Sequence, residues 1–167
     1  MKKIAAVVFF IAFAVGAFAQ EPNITSFRGI AWGAYRDSIV IKGKKVEFVK
    51  DKNSLTKNAY TIPNDDMMIG SVKLTKLDYI FDDDTRLIKV FMEGTKDQAE
   101  QMKFILDFKF GEHKNESKVD DVSYKQWLVK NVTFTLGEYS QRKFELKIES
   151  NWQATEAYKK NTNVDDF

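Results

Sequence analysis

Cysteine is absent from the 167 residues, histidine occurs once and proline twice. Without cysteine there can be no disulfide framework, no thiol nucleophile and no thiolate metal ligand. With His113 as the lone imidazole, a zinc site would have to rest on carboxylates, whereas zinc sites draw on several nitrogen or sulfur donors. An excess of one charge is also missing, since 26 Lys+Arg stand against 24 Asp+Glu. Such a balance supplies little counterion release toward nucleic acid and no polybasic patch toward a membrane surface. No G-x-S-x-G signature, tandem repeat or low-complexity linker is present. Neither nucleic acid nor a cofactor is therefore expected.

The one long hydrophobic run opens the chain. Lys2 and Lys3 precede an uncharged stretch from Ile4 to Val15, and Ala17-Phe18-Ala19 then supplies the small-x-small pattern cut by signal peptidase. The run is shorter than the roughly 20 apolar residues that span a bilayer. Residues 1–19 thus read as a cleavable signal peptide. A bacterial lipid anchor needs a cysteine, so the mature chain, starting at Gln20, is expected to be exported to the periplasm or the exterior without a membrane anchor. Removing nineteen of 167 residues leaves 148, enough for a single core. Residues 20–160 are expected to form one domain and 161–167 a loose tail. Lys2 and Lys3 depart with the signal, so the body is neutral on balance.

Without disulfides, stability must come from packing, and the mature chain holds ten Phe, six Tyr and three Trp for it. Val72, Leu74, Leu77, Tyr79 and Phe81 alternate with polar residues, and Ile88, Val90 and Met92 repeat the pattern beyond Asp82-Asp83-Asp84-Thr85, which predicts a hairpin. A phase slip between Leu74 and Leu77 predicts a bulge near Thr75-Lys76. A helix follows, with Thr95-x-x-Gln98 as a capping box and Gly111 as the stop. Its stripe is Ala99, Met102, Ile105, Leu106 and Phe110. Runs over 124–130, 132–136 and 144–148 predict a three-strand meander. Short helices are expected at 35–40 and 150–160, and a strand at 45–51. The fold class is α+β: an antiparallel sheet of hairpin plus meander, one main helix on one face, and short helices at both ends.

The opening Phe27-Arg28-Gly29-Ile30-x-Trp32-Gly33, followed by Ile39, Tyr79-x-Phe81, Phe110-Gly111 and Trp127, resembles a group of uncharacterised exported bacterial proteins. More remotely, the opening is similar to the small outer-membrane assembly lipoproteins and the β-lactamase inhibitor proteins. The resemblance implies helices packed on one face of a small antiparallel sheet, and it implies no activity. Two positions depart from the pattern: the lipoprotein cysteine is absent, and Phe110 stands where Tyr usually precedes the glycine.

No residues assemble into a catalytic pattern. His113, in the polar run after Gly111, reads as an exposed loop histidine. Asp82-Asp83-Asp84 lacks the alternating ligands, glycine and distal glutamate of a calcium loop, and reads as a solvated turn, as does Asp65-Asp66. No Asp or Glu lies in a run that would bury it. Trp32, Tyr79, Phe81, Tyr124 and Trp127 serve either as core or as the lining of a cleft. Arg28 and Arg36 flank Trp32 and offer an anion clamp if they are not simply surface arginines. The candidate ligand or partner surface is therefore Arg28, Trp32, Arg36, Tyr124 and Trp127. The leading expectation is a non-catalytic binding module for an envelope protein or peptide. The alternative is a small-ligand carrier or weak hydrolase using the aromatic cleft.

Overall fold

The computed structural model describes residues 24–140 and 142–152. The signal segment 1–19, the helix expected beyond Trp152 and the 161–167 tail lie outside them.

The chain is α+β, mostly antiparallel sheet with one main helix. β1 (Ser26–Phe27) and β2 (Ile30–Ala31) form a tight hairpin, and β3 (Val40–Ile41) and β4 (Lys44–Lys45) form another. Three short strands follow: β5 (Val49–Lys50), β6 (Ala59–Thr61) and β7 (Met68–Ile69). The long pair β8 (Val72–Phe81) and β9 (Leu87–Thr95) leads to helix α1 (Ala99–Phe110). The chain then runs through β10 (Asn115–Val119), β11 (Val122–Val129), β12 (Val132–Tyr139) and β13 (Lys143–Ser150). Among the described residues the main sheet holds nine strands in the order β10-β11-β12-β13-β9-β8-β6-β5, with β7 also on β8. All pairings are antiparallel.

A sheet limited to a hairpin plus a three-strand meander, preceded by a helix over 35–40, is not what forms. The sheet is larger because β5, β6 and β7 are too short to show a period of two, while β10 is exposed along its whole length and carries no apolar alternation. The helix expected over 35–40 is only a 3₁₀ turn, Arg36–Ser38. Its flanks are extended because they bond to the start of β9 instead: Arg36 N donates to Thr85 O at 2.9 Å, and Tyr35 bridges Arg86. The strand expected over 45–51 is split between β4 and β5. Thr95 makes no side-chain cap, because a 3₁₀ turn, Lys96–Gln98, precedes α1. Gly111 does take positive φ, and its N–H closes the helix on Asp107 O at 2.8 Å.

Alternation puts Val90 and Met92 of β9, Trp127 and Val129 of β11, Phe134 and Leu136 of β12, and Phe144, Leu146 and Ile148 of β13 on one buried face. The register of β8 on β9 shifts between Leu74 and Lys76, which lets both Leu74 and Leu77 point inward. Met102 and Leu106 of α1 complete the core. The opposite face is polar, with Lys143 salt-bridged to Glu93 and Glu145, and Lys89 to Glu149.

One carboxylate contradicts the expectation that none is buried. Asp78 is 1% exposed. Its Oδ2 lies 3.1 Å from Lys76 Nζ, yet neither oxygen accepts a well-formed hydrogen bond, while Lys76 also pairs with Asp51 at 2.8 Å. Desolvation raises the Asp78 pKa even though Lys76 opposes it. The polar side of β8 looked solvated in the sequence, but the long excursion between β4 and β7 folds back over it.

Candidate functional site

The β1–β2 turn consists of Arg28 and Gly29, both at positive φ, as a two-residue hairpin requires. Arginine rarely adopts that backbone, and here its side chain is held at three points. The guanidinium donates to Asp65 Oδ1 at 2.9 Å, to Met68 O at 2.7 Å and to Asp66 O. Asp65 also accepts from the hydroxyl of buried Tyr79 at 2.7 Å. Burial, and then the Asp65 carboxylate, push the Tyr79 phenol well above its usual pKa. Asp65 is thus no free turn residue: it ties the N-terminal hairpin to β8.

Trp32 follows β2, its N–H donating to Thr25 O at 3.1 Å. Gly33 N to Leu87 O at 2.9 Å and Leu87 N to Ala34 O at 3.0 Å fasten the next residues to β9. These bonds hold the hairpin beside α1, and between the two lies an apolar cleft of about 280 Å³. That is close to the lower end of the roughly 300–1,000 Å³ typical of ligand sites. Phe27, Arg28 and Trp32 form one wall, Ile105, Lys109 and Phe110 the other, and Met92, Leu146 and Ile148 lie in the floor. The Trp32 indole nitrogen is buried without a hydrogen-bond partner among the described residues. Such a donor costs free energy until something accepts from it.

The helix wall is anchored at its C-terminal end. The Trp127 indole N–H donates to Asp107 Oδ1 and Gly111 O, and Phe110 packs on Phe134 with ring centroids 4.6 Å apart. His113 lies edge-on to Trp127 at 5.6 Å with its side chain only 14% exposed, so it is not the surface residue expected from its polar run. Burial raises the Asp107 pKa, but hydrogen bonds from Lys103 and Trp127 outweigh it and hold the carboxyl below its usual value.

The five residues singled out from sequence do not converge. Arg28 and Trp32 share the cleft. Arg36 pairs with Asp37 at 3.2 Å, stacks over Tyr60 and lines a separate 110 Å³ recess. Trp127 is 1% exposed and belongs to the core, as do Tyr79 and Phe81. Tyr124 packs over Gly137, its register partner on β12. With Arg28 engaged by Asp65 and Arg36 by Asp37, the pair forms no anion clamp. Sequence reading missed Lys109 and the cleft role of Ile105, since the apolar stripe of α1 gives no sign that the hairpin covers it only partly. It also missed Phe104 and Phe108, which are 68% and 84% exposed and stack one helical turn apart at 6.3 Å on the outer side of α1.

Fold and site together define an α+β protein with, among the described residues, one large antiparallel sheet, one main helix and an apolar cleft where the N-terminal hairpin meets that helix. No protein-family model, curated protein or solved structure matches the chain. No helix among the described residues is long and apolar enough to cross a membrane.

Proposed function

We propose that the chain is a non-catalytic binding protein exported to the cell envelope, and that the apolar cleft beside Trp32 is its binding site. The carrying observation is the cleft itself: about 280 Å³ lined mainly by apolar side chains, beside an indole N–H without an acceptor among the described residues. Pockets of this kind bind the apolar body of a ligand and orient it with a few polar groups. The export half rests on the Lys2-Lys3, Ile4–Val15 and Ala17-Phe18-Ala19 succession, in keeping with the resemblance to exported bacterial proteins. The test has two parts. Intact mass of protein from the periplasmic fraction should show Gln20 at the N-terminus, and Met1 on cytosolic protein would refute export. Ile105→Glu places a charge in the cleft wall; it should abolish binding of 8-anilinonaphthalene-1-sulfonate while leaving the circular dichroism spectrum unchanged. Undiminished binding would refute the cleft.

A second reading is favoured by Phe104 and Phe108. Two stacked aromatic rings left in water on one helix mark a surface that a partner protein would cover. On this reading the partner docks on the outer side of α1, away from the cleft.

A further inference from the structure

We propose that the ligand of the cleft is a medium-chain aliphatic monocarboxylate, whose head pairs with Lys109 and whose tail lies in the apolar cleft. This rests on the reading of the cleft as a binding site and names what it takes.

Charge makes the first selection. Among the described residues no Asp or Glu lines the cleft, whereas Arg28 and Lys109 both do. Of these two cations only one is available: Arg28 already donates to Asp65, Asp66 and Met68. Lys109 makes no ion pair among the described residues and has only the Phe110 ring near its ammonium, at 5.5 Å. A single uncompensated ammonium at the edge of an apolar cleft favours a ligand with one negative charge at one end. A phosphate monoester carries about two charges and offers more acceptors than one lysine satisfies.

Shape makes the second. The partly exposed aliphatic lining is branched, Ile24, Ile69 and Ile105, set over the buried Met92, Leu146 and Ile148. Such a surface suits an alkyl chain, which has no flat face to be matched. At about 280 Å³ the cleft is at the small end of the range for ligand sites, which favours a short alkyl chain over a larger ligand.

The test is isothermal titration calorimetry of the full chain with octanoate, octanol, octylammonium and octyl phosphate, which share one tail. Octanoate should bind about tenfold more tightly than octanol, and octylammonium more weakly than either. Lys109→Gln lies on an exposed position, so the fold should survive; it should erase the preference for octanoate while leaving octanol affinity unchanged. If no eight-carbon probe binds, the cleft reading itself falls. If octanol matches octanoate, or Lys109→Gln keeps the preference, the head assignment falls while the cleft stands. Tighter binding of octyl phosphate than of octanoate overturns the carboxylate in favour of a phosphate head.

Discussion

The indole N–H of Trp127 donates to two acceptors at once, Asp107 Oδ1 and the carbonyl of Gly111, each at 3.0 Å. One strand residue therefore fixes both the last turn of α1 and the chain leaving it, and with them the helix wall of the cleft. Trp127→Phe keeps an aromatic ring but removes the donor. Equilibrium urea unfolding should show a loss of about 1–3 kcal/mol.

Acid should weaken the same joint. Lys103 and Trp127 hold the Asp107 carboxyl below its usual pKa against the effect of burial. For a depressed carboxylate, the stabilisation is complete above the unfolded value, about 3.9, and disappears as pH falls through the lower folded value. A urea midpoint series across this window should fall more steeply for the wild type than for Asp107→Asn. Parallel curves would contradict the assignment.

Burial of Asp78 has the opposite sign. Its folded pKa is raised, so the native state holds the proton to higher pH than the unfolded chain does, and stability declines as pH climbs through that interval. Asp78→Asn removes the buried charge while Lys76 keeps Asp51. It should gain on the order of 1 kcal/mol at neutral pH, with the difference closing in acid. A destabilised variant at pH 7 would show that the Lys76 contact outweighs desolvation.

Gly94 and Phe144 face each other across β9 and β13. A Cβ at Gly94 would meet the Phe144 ring at 2.3 Å, and Phe144 is fully buried. Gly94→Ala should cost about 1–3 kcal/mol by overpacking. Adding Phe144→Leu should recover part of that loss in a double-mutant cycle, whereas strict additivity would point to backbone strain.

On the outer side of α1, Phe104→Ser with Phe108→Ser should change stability by less than about 1 kcal/mol, since both rings are in water. On the proposed reading of an exported chain, crosslinking to an envelope partner should be lost if these rings form the docking surface. Retained crosslinks would remove that reading and leave the cleft unaffected.

Long, half-buried segments were legible in the sequence and short ones were not. The alternation of Val72 to Phe81 carries the register slip at Lys76 in the sequence itself, because a bulge writes itself into the apolar phase. The stripe Ala99, Met102, Leu106 was visible for the same reason. By contrast β5, β6 and β7 are positioned by partners distant in the chain, and nothing in Val49–Lys50 announces a strand. The buried carboxylate escaped notice because Asp78 occupies the polar phase of its strand, and only tertiary folding covers it. The site was half legible: Trp32 lies in a cleft, but its opposite wall comes from Ile105 and Lys109, about seventy residues away and read simply as helix. Aromatic content alone could not separate Trp32 from Trp127.

β13 lies between β12 and β9, so the strand latest in sequence among the described residues is also the one that joins the two halves of the sheet. Until Lys143–Ser150 emerges, β9 and β12 each lack a neighbour and the apolar residues that face α1 have no closed core. A growing chain thus cannot close its sheet before Ser150 has been made. Chains stopped short of Lys143 should be degraded at once by added protease, and a resistant fragment would show that the earlier strands fold unaided.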